Sequence, residues 1–203
     1  MRAALTMLTI LSGIAFASGT AAQQTPAEKL CGAIVDGDVE ALGELLKRGA
    51  DPNALDGRGE PSLTCAITQV MFEDNAPGQV RSMRFLLEHG AKVDGRTANG
   101  STPLMIAAGN GGNRDQLDGQ VAVVRLLLEK GANVNAGDDV QKITALHWAA
   151  FRGYTASIKL LLAHGADRNP RNTLGETPLE MMAQNSVLQP DKAKEVKALL
   201  TAR

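Results

Sequence analysis

A run of leucines followed by the pair Gly-Ala recurs four times along the chain. The runs contain Leu45-Leu46, Phe85-Leu86-Leu87, Leu126-Leu127-Leu128 and Leu160-Leu161-Leu162, and the glycines are Gly49, Gly90, Gly131 and Gly165. Leucines that end at a glycine are typical of a helix with one buried face and a left-handed C-cap. Asp and Asn residues follow each Gly-Ala pair, which indicates a tight loop after each helix.

A second pattern marks the start of another helix in each unit. It reads Thr102-Pro103-Leu104, Thr144-Ala145-Leu146 and Thr177-Pro178-Leu179. Thr suits the N-cap of a helix and Pro its first position. The corresponding leucines are at positions 30, 63, 104, 146 and 179, with spacings of 33, 41, 42 and 33 residues. The pattern therefore predicts that each unit consists of a helix, a turn, a second helix and a loop. Such a unit must stack on its neighbours to bury its apolar face.

These motifs resemble the ankyrin repeat, and the resemblance covers about residues 25 to 203. The residues that carry it are Thr-Pro-Leu, Leu146 to Ala150, Gly131 to Asn135 and the period of 33. The resemblance implies an all-α repeat fold, an ankyrin solenoid of about five helix-turn-helix repeats with hairpin-like loops. We expect an ankyrin-repeat domain over residues 23–203, with repeats at approximately 25–54, 55–95, 96–137, 138–172 and 173–203. Thr25 to Glu28 reads as a capping box that starts the stack.

Two repeats depart from the 33-residue period. Repeats two and three carry insertions of eight residues between their helices, at about 70–77 and 111–118, and both insertions end in Gly-Gln-Val. Equal length and position predict that stacking places them side by side. Our hypothesis is a joint contact patch that includes Met71, Phe72, Arg114 and Asp115. The alternative is that Met71 and Phe72 prolong the first helix and pack against it. Repeat two also has Pro61-Ser62-Leu63, which predicts a helix without a hydroxyl cap.

The first 22 residues differ from the rest and read as a signal peptide. Residues 5–17 are mostly apolar and too few to span a bilayer comfortably, and Thr20-Ala21-Ala22 offers small residues for cleavage. We expect a cut after Ala22, with Ala17 and Gly19 as alternative positions and an uncleaved anchor as the competing interpretation. The Ala-rich signal is typical of bacteria. This predicts a periplasmic or secreted protein with no membrane span after cleavage.

Composition and motifs exclude several classes of function. The net charge is −1, so the chain lacks the basic excess needed to bind nucleic acid. Phosphate-binding, zinc-protease and serine-hydrolase motifs are absent from the sequence, and the Gly- and Asn-rich residues 109–119 do not match a calcium loop. All three histidines have structural roles in this interpretation: the resemblance implies a hydrogen-bonding role for His147, and His89 and His164 precede Gly-Ala pairs at helix C-termini. We therefore expect no catalytic residues, no metal site and no cofactor.

The two cysteines, Cys31 and Cys65, allow two interpretations. An even number in an oxidising compartment favours a disulfide. The expected axis separation of stacked helices, about 8–10 Å, makes the geometry borderline, because a disulfide needs Cα atoms within about 7 Å. A bridge and two buried thiols both remain open from the sequence.

Aromatic residues are scarce, and three of them cluster in repeat four. Trp148, Phe151 and Tyr154 occur together with Arg152. The resemblance implies that such positions line the concave face that contacts partners, and Trp, Tyr and Arg are enriched in binding hot spots. The alternative for Trp148 is local core packing. We expect a monomeric, non-enzymatic scaffold that binds another protein in the periplasm. The alternatives are an immunity or inhibitor protein that binds a toxin or enzyme, and a metal-dependent enzyme.

Overall fold

The computed structural model describes residues 24–70, 76–109 and 117–202, and in this part of the chain it contains ten helices and no strands. The all-α repeat fold is thus confirmed. The helices are α1 Pro26–Asp36, α2 Val39–Lys47, α3 Ser62–Val70, α4 Ala76–Glu88, α5 Pro103–Gly109, α6 Leu117–Glu129, α7 Ala145–Arg152, α8 Thr155–Ala163, α9 Pro178–Ala183 and α10 Pro190–Thr201. Among these residues, no helix is long and apolar enough to cross a membrane.

The helices form two layers. The odd-numbered helices pack against one another in chain order, and the even-numbered helices form the second layer on their other side. The core between the layers is aliphatic and includes Leu30, Leu63, Leu104 and Leu146, each no more than 2 % exposed. These are four of the five leucines that set the repeat period, and the fifth, Leu179, is half-buried against the same core, so the period reflects one core-facing position per unit.

Helix ends follow the capping residues of the sequence. Thr25, Thr144 and Thr177 each accept a hydrogen bond from the third residue of their helix, and each belongs to a capping box. The four glycines after the leucine runs have φ between 84° and 96°, as a left-handed C-cap requires. In repeat two the Ser62 hydroxyl is buried and has no hydrogen-bond partner among the described residues, so it caps none of their N–H groups.

The expected bounds of the insertions were partly wrong. Residues 76–77 already belong to α4, residues 117–118 belong to α6, and α3 continues to Val70. The remaining inserted residues, with Met71, Phe72, Arg114 and Asp115, lie outside the described part of the chain.

The 42-residue spacing between Leu104 and Leu146 has a second cause besides the insertion. The loop between Asp138 and Thr144 holds one residue more than its counterparts. Lys142 absorbs that extra residue with a φ of 58°.

Each loop between repeats is organised by one buried polar residue. Asp56 Oδ1 accepts hydrogen bonds from the backbone N–H of Arg58 and Glu60, at 2.8 and 2.9 Å. Asn172 Oδ1 does the same for Leu174 and Glu176, both at 2.9 Å. Asp138 and Thr97 occupy the same position in the other two loops. These bonds pair the backbone of the loop and fix its shape next to the odd-numbered helices.

A second set of polar residues links each loop to the following repeat. Asn53 Nδ2 donates to Gly90 O at 2.9 Å, and its Oδ1 accepts from Lys92 N at 2.8 Å. Asn135 makes the equivalent pair of bonds two units later, to Gly165 O and from Asp167 N. At the intermediate position, Asp94 accepts from Asn133 N. We call this set the loop ladder.

A disulfide joins the first two repeats. Cys31 in α1 and Cys65 in α3 are bonded, with their Cα atoms 5.9 Å apart. This separation is within the range that a disulfide needs. Facing Cα atoms lie closer together than the helix axes, because each Cα atom lies about 2.3 Å from its own axis. Small buried residues, Ala33 in α1 and Ala66 in α3, belong to these two helices and leave room for a close approach.

Candidate partner-binding groove

Two adjoining clefts lie along the odd-numbered helices of repeats two to four. They have volumes of about 320 and 210 Å³ and share the lining residues Ser101 and Ile106. We call the two clefts together the repeat groove. Its first part includes the polar side chains of Arg58, Glu60 and Asn99 beside Cys65. Its second part is formed by Met105, Gly109, Trp148 and Arg152.

The position of Trp148 depends on a glycine in the neighbouring helix. Trp148 lies on α7 and is half-buried against the end of α5. A Cβ atom added to Gly109 would lie 2.9 Å from Trp148 Cβ and 3.0 Å from its Cγ, closer than real contacts. Gly109 therefore permits the indole ring to lie across α5. Phe151 supports it from one turn further along α7, with an edge-to-face contact at 6.4 Å between ring centroids.

The polar part of the groove is fixed by Asp56. Its carboxylate is almost completely buried and pairs with Arg58 at 2.9 Å. Burial by itself would raise the pKa of Asp56, but hydrogen bonds from Glu60 and Arg58 outweigh it and hold the pKa below its ordinary value. Asp56 is therefore ionised at neutral pH, and the Arg58 side chain is held beside the groove.

The family of the chain follows from its match to a family model. The model for ankyrin repeats, described as containing three copies, matches residues 30–138 and 116–201. The protein belongs to the ankyrin-repeat family. Ankyrin arrays are typically non-enzymatic modules that bind protein partners through an extended surface built from successive repeats.

Similarity to curated proteins is confined to a short stretch. Palmitoyltransferase ZDHHC17 of Danio rerio is 49% identical over 51 residues, and its Homo sapiens counterpart is 47% identical over the same length. The matched stretch is 25% of this chain and 8% of each relative. The chain therefore spans only a small part of the relatives it matches, and their enzymatic activity does not carry over with the match.

The aromatic cluster of repeat four divides between two sides of the ankyrin stack. Trp148 and Arg152 line the repeat groove, whereas Phe151 packs behind Trp148 and its carbonyl accepts from Asn185 Nδ2 at 2.6 Å. Tyr154 lies in the turn after α7 and lines a different cleft, which Arg152 also borders. Three of the four residues thus line clefts, and Phe151 positions one of them. Their contact with a partner remains a prediction.

Several groove residues were not predicted from the sequence, although their positions within the repeat indicate them. Ile106 and Cys65 stand two residues after the repeat leucines Leu104 and Leu63, as Trp148 stands two residues after Leu146. All three line the groove. Transferring the position of Trp148 to the other ankyrin units would have identified them.

The bases of the two insertions lie next to each other. A Cβ atom added to Gly119, in the first turn of α6, would be 3.0 Å from Ala76 Cβ at the start of α4. The inserted residues before these two helices lie outside the described part of the chain. The joint patch of Met71, Phe72, Arg114 and Asp115 therefore stays a hypothesis.

The histidines occupy structural positions. His147 is fully buried in α7, its Nδ1 lies 2.9 Å from Thr144 Oγ1, and its Nε2 lies 3.1 Å from Glu176 O of the next repeat. Burial lowers the pKa of His147, so the ring is neutral at pH 7. The Nδ1 atoms of His89 and His164 contact the carbonyls of Phe85 and Leu160 at their helix ends. Within residues 24–70, 76–109 and 117–202, no group of three or more His, Cys, Asp or Glu could hold a metal ion.

Proposed function

We propose that this protein is a scaffold that binds a protein partner through the repeat groove, and that it acts in the periplasm after export. The observation that carries the binding proposal is the extent of the groove, whose two clefts share Ser101 and Ile106 and together cover three repeats, from Arg58 to Arg152. A surface of this length fits an extended polypeptide segment better than a small molecule.

The residues at the end of the groove supply affinity. Trp148 presents an aromatic surface held by Gly109 and Phe151, and Arg152 adds an exposed cation beside it. Trp and Arg are enriched in hot spots because they combine large contact areas with hydrogen bonding or charge. Because the groove is built from packed helices, the protein loses little conformational entropy when it binds.

Two features support export. The described fold begins at Thr25, three residues after the expected cleavage site at Ala22, so cleavage would leave the capping box of α1 intact. The disulfide between Cys31 and Cys65 suits an oxidising compartment such as the periplasm, since thiols are kept reduced in the cytosol.

The binding proposal is tested by affinity capture with groove variants. Ile106→Lys places a charge where the two clefts adjoin. Arg152→Glu reverses the charge at the end of the groove, and because Arg152 also borders the cleft of Tyr154, only Ile106→Lys reports on the groove alone. Arg125→Glu is the matched control, because Arg125 is also an exposed helical arginine but lies on α6, in the other layer. Capture from an extract of the producing organism is compared by quantitative mass spectrometry.

We expect one or more proteins to be retained by the wild type and by Arg125→Glu, and to be lost with Ile106→Lys. The melting temperature of each variant shows whether the fold is intact. Partners retained equally by all variants would contradict binding through the groove. Loss with Arg125→Glu alone would place the partner on the even-numbered layer.

A further inference from the structure

Three charged side chains line the repeat groove, and one of them is already neutralised. The three are Arg58, Glu60 and Arg152. Arg58 pairs with the buried carboxylate of Asp56 at 2.9 Å, so these two charges cancel. Neither Glu60 nor Arg152 forms an ion pair with any residue that the structure describes. The groove therefore keeps one negative and one positive charge that a partner can meet.

These two charges lie at opposite ends of the groove. Glu60 belongs to the loop before α3 and lines the first cleft, whereas Arg152 ends α7 and lines the second. Helix α5 packs between α3 and α7. Two steps of about 8–10 Å between helix axes therefore separate the two ends, which gives a distance of about 16–20 Å.

The charges next to the groove do not cancel this arrangement. Arg96, in the loop before α5, pairs with Asp139 of the following loop at 3.3 Å. Asp138 and Lys142 lie in that same following loop and carry opposite charges. The loops beside the groove are thus close to neutral. The groove has a negative end in repeat two and a positive end in repeat four.

The surface next to the positive end is apolar. Met105, Ile106 and Trp148 form it, and Gly109 leaves room for the indole ring. The volume of this second cleft, about 210 Å³, is below the roughly 300 Å³ at which small-molecule sites begin. The cleft therefore suits one large apolar side chain, such as that of leucine, better than a whole small ligand.

We propose that the repeat groove binds an extended segment with a basic residue at one end, an acidic residue at the other and a large apolar residue beside the acidic one. The basic side chain pairs with Glu60, the acidic one with Arg152, and the apolar one packs against Trp148. An extended chain rises about 3.3 Å per residue, so the two charged residues stand about five or six positions apart. This inference rests on the scaffold proposal and names the chemistry of the partner in the same groove.

The test uses four hexapeptides of one composition, each acetylated and amidated so that its termini carry no charge. In Lys-Ser-Ser-Ser-Leu-Glu and its reversed sequence, the leucine stands beside the acidic residue, as proposed. In Glu-Ser-Ser-Ser-Leu-Lys and its reversed sequence, it stands beside the basic residue. Each peptide is titrated into the mature protein labelled with ¹⁵N. The indole N–H signal of Trp148, the one tryptophan of the chain, reports binding in the groove.

We expect one peptide of the first pair to bind about tenfold more tightly than either peptide of the second pair. With the leucine against Trp148, the second pair places like charges at both ends of the groove, and like charges that face each other oppose binding. In about 1 M salt the difference should shrink to less than about twofold, because the Debye length falls to about 3 Å. This measurement uses the wild type alone.

Two double variants locate the charges. Glu60→Lys with Arg152→Glu reverses the polarity of the groove and should reverse the preference among the peptides. Glu40→Lys with Arg125→Glu makes the same two changes at exposed residues of α2 and α6, in the even-numbered layer, and should leave the preference unchanged. Both double variants keep the net charge of the protein. Their melting temperatures show whether the fold is intact.

Three results would overturn the inference. They are equal affinities for the two pairs of peptides, no shift of the Trp148 signal with any peptide, and a preference that survives the reversal of polarity. Ile106→Lys separates these results from a failure of the scaffold proposal. Equal affinities that Ile106→Lys abolishes would leave binding in the groove but without the charge pattern. Binding that Ile106→Lys leaves unchanged would lie outside the groove and would contradict both proposals.

Discussion

The loop ladder makes a specific prediction about how adjacent repeats are held together. Replacing Asn135 with Asp keeps the size of the side chain but removes the Nδ2 donor that bonds Gly165 O at 3.1 Å. It also places a carboxylate oxygen next to that carbonyl. The bond from Asp167 N to Oδ1, at 2.8 Å, can remain. The change therefore removes one hydrogen bond and adds one repulsive contact.

The expected loss in unfolding free energy is about 1–2 kcal/mol. A neutral hydrogen bond contributes about 0.5–1.5 kcal/mol net, and the unfavourable oxygen pair adds to its loss, although solvent exposure of the loop limits that addition. For a domain of this size, 1 kcal/mol lowers the melting temperature by about 2–4 °C. Urea unfolding followed by circular dichroism measures the change.

The ladder supplies both a reciprocal variant and a control. Asp94 stands at the same repeat position as Asn135 and accepts from Asn133 N, but a carboxylate cannot donate to Gly131 O. Asp94→Asn should stabilise the stack by about 0.5–1 kcal/mol, because it adds that donor. Asn169 is the equivalent residue of the last loop, and the described residues show no bond from its side chain, so Asn169→Asp should be neutral. Equal losses for Asn135→Asp and Asn169→Asp would refute the reasoning.

Four further predictions concern the disulfide, His147, export and the insertions. Replacing Cys31 and Cys65 with Ser should lower the unfolding free energy by about 2–4 kcal/mol, because the bridge closes a long loop in the unfolded chain, and thiol titration of unreduced denatured wild type should find no free thiol. His147 has a lowered pKa in the folded state, so the unfolded state binds more protons below about pH 6.5 and stability should fall as the pH decreases from there. Chemical unfolding between pH 8 and pH 5 measures this fall, and His147→Gln should remove most of it. N-terminal sequencing of protein from the producing organism should begin at Gln23, and a start at Met1 in the cytosol would contradict export. Cutting each insertion back to the 33-residue period should abolish partner capture without lowering the melting temperature if the insertions form a contact patch; a large drop in stability or unchanged capture would reject that role.

The helices and their order could be predicted from the sequence because their ends depend on local chemistry. Thr144 and Gly165 act through bonds to their own helices, and a capping pattern needs no knowledge of distant contacts. The start of α4 was missed because Ala76-Pro77-Gly78 reads as a loop, although Pro is well tolerated in the first turn of a helix.

The sites were harder to predict because they depend on contacts between repeats. Ile106 looks like an ordinary core residue, and only stacking against α7 places it beside Trp148. Gln120 reads as a surface residue at the end of an insertion, yet its amide is buried because Ala107 offers it a carbonyl. Whether Cys31 and Cys65 form a disulfide depends on the distance between their Cα atoms. The average spacing of helix axes does not determine that distance.

The disulfide gives the repeat array a direction of assembly. In a linear stack each unit contacts only its neighbours, so folding can in principle begin at any adjacent pair and spread both ways. The bond between α1 and α3 keeps the first two units together even when the chain is unfolded, and it thereby lowers the entropic cost of forming that pair above all others. Once the disulfide has formed, folding begins at the first two units and proceeds one unit at a time towards the carboxyl-terminal end. Unfolding begins at that carboxyl-terminal end.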